Sequence, residues 1–164
     1  MKIYFASDHA GFSLKEELVQ SLMQEEKYEV VDCGPLQFDK NDDYPGLIAE
    51  AARRLSLDVR EGVDSRAVVI GASGQGEAIV ANRFKGVRCA LYYGEPTTTQ
   101  IDVSGTRLDM LSSTREHNNA NALSLAARFL DAFDAKRAVI SWLQKPFSGE
   151  ERHARRIKQI DEQA

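Results

Sequence analysis

The chain has little of what marks several common protein classes. Among its 164 residues there are only two cysteines, Cys33 and Cys89, too far apart to form a C-x-x-C pair. A reduced cytoplasmic setting is the simplest expectation. It has three histidines, His9, His117 and His153, and no His, Cys, Asp or Glu set with metal-site spacing, so no metal is expected. No apolar run is long enough to span a bilayer. Met1-Lys2 leads straight into Ile3-Tyr4-Phe5-Ala6, too short for a signal-peptide core. There is no basic excess: the net charge is −4, which gives no global bias toward nucleic acid or membrane. Internal repeats and low-complexity segments are lacking as well. What remains is ordinary for a soluble globular protein, 43% hydrophobic and 28% charged, and long enough for one domain over residues 1–164 with a full core.

Apolar β-type runs recur at Lys2–Ser7, Tyr28–Cys33, Arg66–Ile70, Val87–Tyr92 and Ala122–Ala126. Helical patterns lie between and after them. The first covers about Leu14 to Gln24, with Ser13 and Glu16 spaced as a capping box. The second covers about Gly46 to Leu57 after Pro45, and the third opens after Gly76. The fourth ends near Asn118, the fifth covers about Phe129 to Gln144, and the last about Ser148 to Gln163. Strands alternating with helices predict a three-layer αβα, doubly wound α/β fold with five parallel strands, Rossmann- or flavodoxin-like, plus an extra C-terminal helix. Ligands of such sheets bind beyond the carboxyl ends of the strands. On that rule Asp8-His9, the Gly71–Glu77 loop, Thr114–Asn119 and Arg128 are expected to meet on one edge.

The segment Gly71-Ala72-Ser73-Gly74-Gln75-Gly76-Glu77 joins an apolar strand to a helix. Its glycines let backbone N–H groups approach an anion closely. Its spacing is not G-x-G-x-x-G, and no Lys-Ser/Thr follows the last glycine, so neither a dinucleotide fingerprint nor a Walker A loop is present. Glu77 adds a carboxylate in the first turn. Phosphate binding alone gains nothing from it, whereas a site that stabilises an oxyanion while a base removes a nearby proton needs both.

Each signal has a plainer counterpart. Glu77 can complement a helix dipole. Asp8-His9 can cap the crossing into the first helix. His117, followed by Asn118 and Asn119, can close a helix C-terminus. Arg152-His153-Ala154-Arg155-Arg156 can be a solvated face paired with Glu150, Glu151 and Asp161, or it can capture phosphate through Arg152 and Arg156 on one helical face. The run is too short, and the chain too acidic, for a nucleic-acid stripe.

Taken together, Asp8-His9-Ala10-Gly11, Asp42-Asp43-Tyr44-Pro45, Gly71–Glu77 with Ala81-Asn82-Arg83, Arg115–Asn119 and Arg152-His153-x-x-Arg156 resemble the type B ribose-5-phosphate isomerase and galactose-6-phosphate isomerase family, in order and over almost the whole chain. The resemblance implies an aldose–ketose isomerase of a sugar phosphate, acting through a cis-enediolate without a cofactor. One branch of that family carries a catalytic cysteine just after the third strand. Here Ile70-Gly71-Ala72 has none, and the chain resembles the branch with a glutamate base at Glu77. By the same resemblance Ser73 assists proton movement between oxygens, and the backbone of Ser73, Gly74, Gln75 and Gly76 holds the enediolate. His117 with Asp8 opens the furanose ring. Asn118 and Tyr44 contact sugar hydroxyls, and His9, Arg128, Arg152, His153 and Arg156 hold the phosphate. It also implies a homodimer or dimer of dimers with sites shared between subunits, the helix at about 148–163 reaching the partner.

Two departures bear on the substrate. Gly94–Ser113, with Thr97-Thr98-Thr99 and Ser104-Gly105-Thr106, exceeds the usual family connection by roughly a dozen residues, against the short loops typical of this fold. Ala72 stands where glycine is common. Ribose 5-phosphate is the expected substrate, with tetrose or hexose phosphates as alternatives, and a non-catalytic sugar-phosphate sensor or a dinucleotide oxidoreductase as competing classes. A sensor has no need of a positioned base, and the glycine spacing argues against the oxidoreductase.

Overall fold

The computed structural model describes residues 1–98, 100–101, 105 and 107–163. Thr99, Ser104 and Thr106 lie outside the described residues. Five strands, β1 (Lys2–Ser7), β2 (Glu29–Asp32), β3 (Ser65–Gly71), β4 (Cys89–Tyr92) and β7 (Ala122–Ala126), form one sheet in the order β2-β1-β3-β7-β4. All its pairings are parallel. The last strand of the chain therefore enters between β3 and β4 and leaves β4 as an edge. A separate antiparallel pair, β5 (Gln100–Ile101) and β6 (Arg107–Leu108), occupies part of the long connection after β4.

Alternation along the central strands sorts the core into two layers, because successive side chains of a strand point to opposite faces. Ile3, Phe5, Val68, Ile70, Leu123 and Leu125 pack with α1 (Phe12–Met23), α4 (Met110–Glu116) and α5 (Ala132–Gln144). Tyr4, Ala6, Ala67, Val69 and Ala122 pack on the other face with α2 (Tyr44–Glu61) and α3 (Gln75–Ala81). The three layers and five parallel strands agree with the expected architecture. The terminal helix α6 (Glu151–Asp161) differs from the others: His153 is its only buried residue, and Ile160 is exposed.

The capping box is not used. The helix begins at Phe12, with Gly11 at the N-cap and no side-chain cap. The Asp8 carboxylate accepts the Gly11 N–H at 2.9 Å, and the Gly11 carbonyl accepts Lys15 N–H at 2.9 Å, so the turn starts before Ser13 is reached. Glu16 pairs with the fully buried Lys15 instead. The second helix is longer than expected and ends at Gly62, whose φ of 71° suits a glycine C-cap. The fifth starts at Ala132, after Asp131, whose side chain accepts the Asp134 N–H.

Candidate active site

The carboxyl ends of β1 and β3 carry one polar group. Asp8 and His9 follow β1, and the Gly71–Glu77 loop follows β3. Gly11 sits so close to β3 that a Cβ there would meet the Ile70 carbonyl oxygen at 2.5 Å, which holds the first turn against the second. Within the loop, Gly74 has a φ of 71°, and a Cβ on it would press on Leu91, Ser124 and the Leu125 backbone. The buried Ser124 hydroxyl donates to the Gly74 carbonyl at 2.6 Å. That bond fixes the loop from beneath. Ser124 was not singled out in the sequence, although a lone hydroxyl inside the buried run Ala122–Ala126 was its signal.

The helix opened by this loop is short, yet its orientation matters. The Ala78 N–H bonds to the Gly74 carbonyl, and the N–H groups of the preceding first-turn residues have no intrahelical acceptor. The Ser73 hydroxyl stands 3.4 Å from Gln75 N. Gln75 reaches outward and donates to the Tyr93 hydroxyl at 2.6 Å. The Tyr44 ring covers Gly76, where a Cβ would meet its hydroxyl end at 2.7 Å.

Glu77 turns back into the protein and is only 4% exposed. Its carboxyl group lies directly over Gly71, in the space a side chain there would fill. Burial raises its pKa, its own backbone N–H pulls it back, and the charge of Asp8 raises it further. Burial thus outweighs that backbone hydrogen bond. Cys89, on β4, is near enough for Glu77 to act on it; burial first and Glu77 second push its thiol up to about 12. His9 pairs with Asp42 at 2.7 Å, and Arg128, whose N–H bonds to the Ala72 carbonyl, acts on His9 electrostatically.

Asp8, His9, Tyr44, Ser73, Gly74, Gln75, Gly76, Glu77 and Arg128 are therefore gathered at the carboxyl edge. His117 and Asn118 are not. They precede β7, and a segment that precedes a parallel strand lies at the amino edge of the sheet. The bonds there agree: Ala67 N–H donates to the Asn121 carbonyl, and Asn121 N–H to the Arg88 carbonyl. From Ala122 to Ala126 the two edges are separated by roughly 13 Å of strand. The expectation that all four segments meet on one edge, with His117 beside Asp8, does not hold within one chain.

The amino edge carries its own construction. Arg115 is buried and donates to the Lys145 and Ala120 carbonyls and to Asn119 Oδ1, while Asn119 takes a left-handed φ of 43°. This turn presents His117, whose ring stacks on His153 with centroids 4.4 Å apart and planes 7° apart. His153 is 5% exposed, and its Nε2 accepts from Arg152 Nε at 3.2 Å. Burial, then His117, then Arg152 lower its pKa. Within one chain His153 thus backs the His117 ring. Arg152 and Arg156 are exposed on the same helix.

Residues 3–160 match the family described as Ribose/Galactose Isomerase. The ribose-5-phosphate isomerase B of Mycolicibacterium paratuberculosis is 36% identical over 157 residues, covering 96% of this chain and 87% of that protein. A crystal structure of ribose-5-phosphate isomerase B from Mycoplasma genitalium with bound ribulose-5-phosphate superposes with a TM-score of 0.83 at 33% identity, covering 99% of this chain and 95% of that one. The Clostridium thermocellum ribose-5-phosphate isomerase B gives 0.79 at 34% identity, covering 99% and 96%. With a match spanning nearly every element of the fold, the chain belongs to the ribose/galactose isomerase family.

Proposed function

We propose that this protein interconverts D-ribose 5-phosphate and D-ribulose 5-phosphate, with Glu77 as the base. The observation that carries this reading is the Glu77 carboxyl group, buried over Gly71 and raised in pKa, in the first turn of its helix. Ionised Glu77 takes the proton from C2 of the open-chain aldose. The C2–H electrons form the C1–C2 double bond, and charge develops on O1. First-turn N–H groups stabilise that charge, as preorganised donors do for an oxyanion. Ser73 moves a proton between O1 and O2, and the proton held on Glu77 returns to C1. A base with a raised pKa is better matched to this exchange than an ordinary carboxylate. The names of the relatives and the bound ribulose-5-phosphate of the Mycoplasma genitalium protein support the substrate.

His9 and Arg128 would hold the phosphate from the same chain, and Tyr44 would touch the sugar. The remaining groups would come from a second copy. A two-fold axis at the β4 edge reverses strand direction, so a partner's amino edge would lie beside this chain's carboxyl edge. His117 would then open the furanose ring beside Asp8, Asn118 would bind a hydroxyl, and Arg152 and Arg156 would reach the phosphate. The sparsely buried α6 and the exposed Ile79 and Ile160 support such a contact.

The test is Glu77→Gln, assayed on four-, five- and six-carbon aldose and ketose phosphates and for exchange of the C2 proton with solvent. Loss of about 10²- to 10⁴-fold in kcat, together with lost exchange and retained binding, is expected. Near wild-type turnover would refute the assignment.

A further inference from the structure

His9 does not stand alone at the carboxyl edge. Its Nδ1 lies 2.7 Å from Asp42 Oδ1, and the Asp42 side chain is only 9% exposed. The second carboxylate oxygen, Oδ2, is buried and has no hydrogen-bond partner among the described residues. Buried carboxylates are ordinarily paired on every side they can be. Asp42 is instead committed to one partner, the imidazole.

The loop that carries Asp42 is pinned at both ends. At its start, Asp32 Oδ2 takes a charge-assisted bond from the buried Lys15 at 2.5 Å, and Oδ1 accepts the Gly34 N–H at 2.8 Å. The Gly34 carbonyl in turn accepts the Ser7 N–H at 3.1 Å, which ties the loop to the end of β1. At its far end, Asp39 folds a turn: its carboxylate accepts the Asn41 N–H at 2.9 Å and its carbonyl the Asp42 N–H at 3.2 Å. The next residue, Asp43, is the N-cap of α2. Asp42 is thus held between a turn and a helix, and its meeting with His9 spans 33 residues of chain.

We propose that Asp42 is a positioning residue of the isomerase, fixing the His9 ring through Nδ1 so that Nε2 presents an N–H to the substrate phosphate. The inference rests on the reading that His9 binds phosphate. Its chemistry follows from the two ring nitrogens. With Nδ1–H donated to a carboxylate, a neutral imidazole offers the phosphate only the Nε2 lone pair, which repels it. The imidazolium offers an N–H and a positive charge between two anions. Asp42 therefore makes phosphate capture by His9 depend on a proton. The groups facing the ring agree on balance: the Asp42 hydrogen bond raises its pKa most, partial burial opposes, Asp8 and the Asp42 charge add, and Arg128 subtracts. Substrate affinity accordingly falls as pH rises through the raised pKa of His9.

Nitrogen-15 NMR of the unliganded, full-length protein reads the ring directly, with His9 assigned by its loss in His9→Asn. A wild-type midpoint above 6.5 is expected, with Nδ1 protonated throughout. In Asp42→Asn the midpoint falls. KM for ribose 5-phosphate at about pH 7.5 rises about three- to tenfold, kcat holds within about twofold, and the rise of KM with pH starts at lower pH. A wild-type midpoint at or below 6.5 overturns the proposal, even if Asp42→Asn fails to fold. An unchanged midpoint and KM in a folded Asp42→Asn, alongside a raised KM in His9→Asn, overturns the role of Asp42 alone. An unchanged KM in His9→Asn removes the phosphate role of His9, and the proposal with it.

Discussion

The carboxyl group of Glu77 occupies the volume that a side chain on Gly71 would need. The two positions cannot both carry a group into this corner of the site. The glycine at position 71 thus leaves this corner to the Glu77 carboxyl group. Gly71→Ala should expel the carboxylate while sparing the fold. Gly71 is not among the glycines with positive φ, and the displaced atoms are the end of a flexible side chain. Kinetics and thermal denaturation together check this. The expected result is a fall of about 100-fold or more in kcat with a stability change of about 1 kcal/mol. Retained turnover would show that the carboxylate acts from elsewhere.

The same burial sets a pH dependence. Glu77 has a pKa above the ordinary 4.5, chiefly through burial. The acid limb of kcat/KM should therefore lie above 4.5, where the free base begins to be protonated. For stability the sign is opposite to that of a salt-bridged carboxylate. The native state prefers neutral Glu77, so this group's contribution is fully present below the unfolded pKa and is lost as pH rises through the raised native value. Glu77→Gln should raise Tm at neutral pH, and the gain should shrink toward acid pH. A variant less stable than wild type at neutral pH would contradict the burial argument. A residue that costs stability where activity needs it is the usual trade of an active site.

The elements read most accurately from the sequence were those with the least choice. β1 and β7 match the expected Lys2–Ser7 and Ala122–Ala126, because strands buried on both faces read as continuous apolar runs. Ser13 and Glu16 had the right spacing for a capping box, but Asp8 and Gly11 had already started the helix through a turn tied to β3. That is a tertiary contact and leaves no local signature. β5 and β6 are two residues each, too short to show a period. The site was legible as residue types and less so as placement. Glu77, Ser73 and Asp8 follow strands and fall where the rule for parallel sheets puts them. His117 precedes a strand, and that order already carried the opposite location. Asp42 was visible only as part of a motif, since its partner His9 is distant in sequence.

The separation of His117 from Glu77 makes the shared site testable without a structure of the assembly. In one chain the His117–His153 stack lies at the amino edge and Glu77 at the carboxyl edge, with the length of β7 between them. Suppose the active site draws Glu77 from one copy and His117 from another. Then Glu77→Gln and His117→Ala homodimers each lack a residue in both sites. A mixed dimer has one site lacking both and one site with neither missing. Coexpression of the two variants should thus restore about a quarter of wild-type turnover at random pairing, because half of the dimers are mixed and each holds one intact site of two. Each variant assayed alone sets the baseline. Turnover no greater than the sum of the two baselines, in a sample shown by native mass spectrometry to contain mixed dimers, would mean that each chain works with its own residues. The His117–Asp8 partnership would then have to be abandoned, since a single chain holds the two at opposite edges of its sheet.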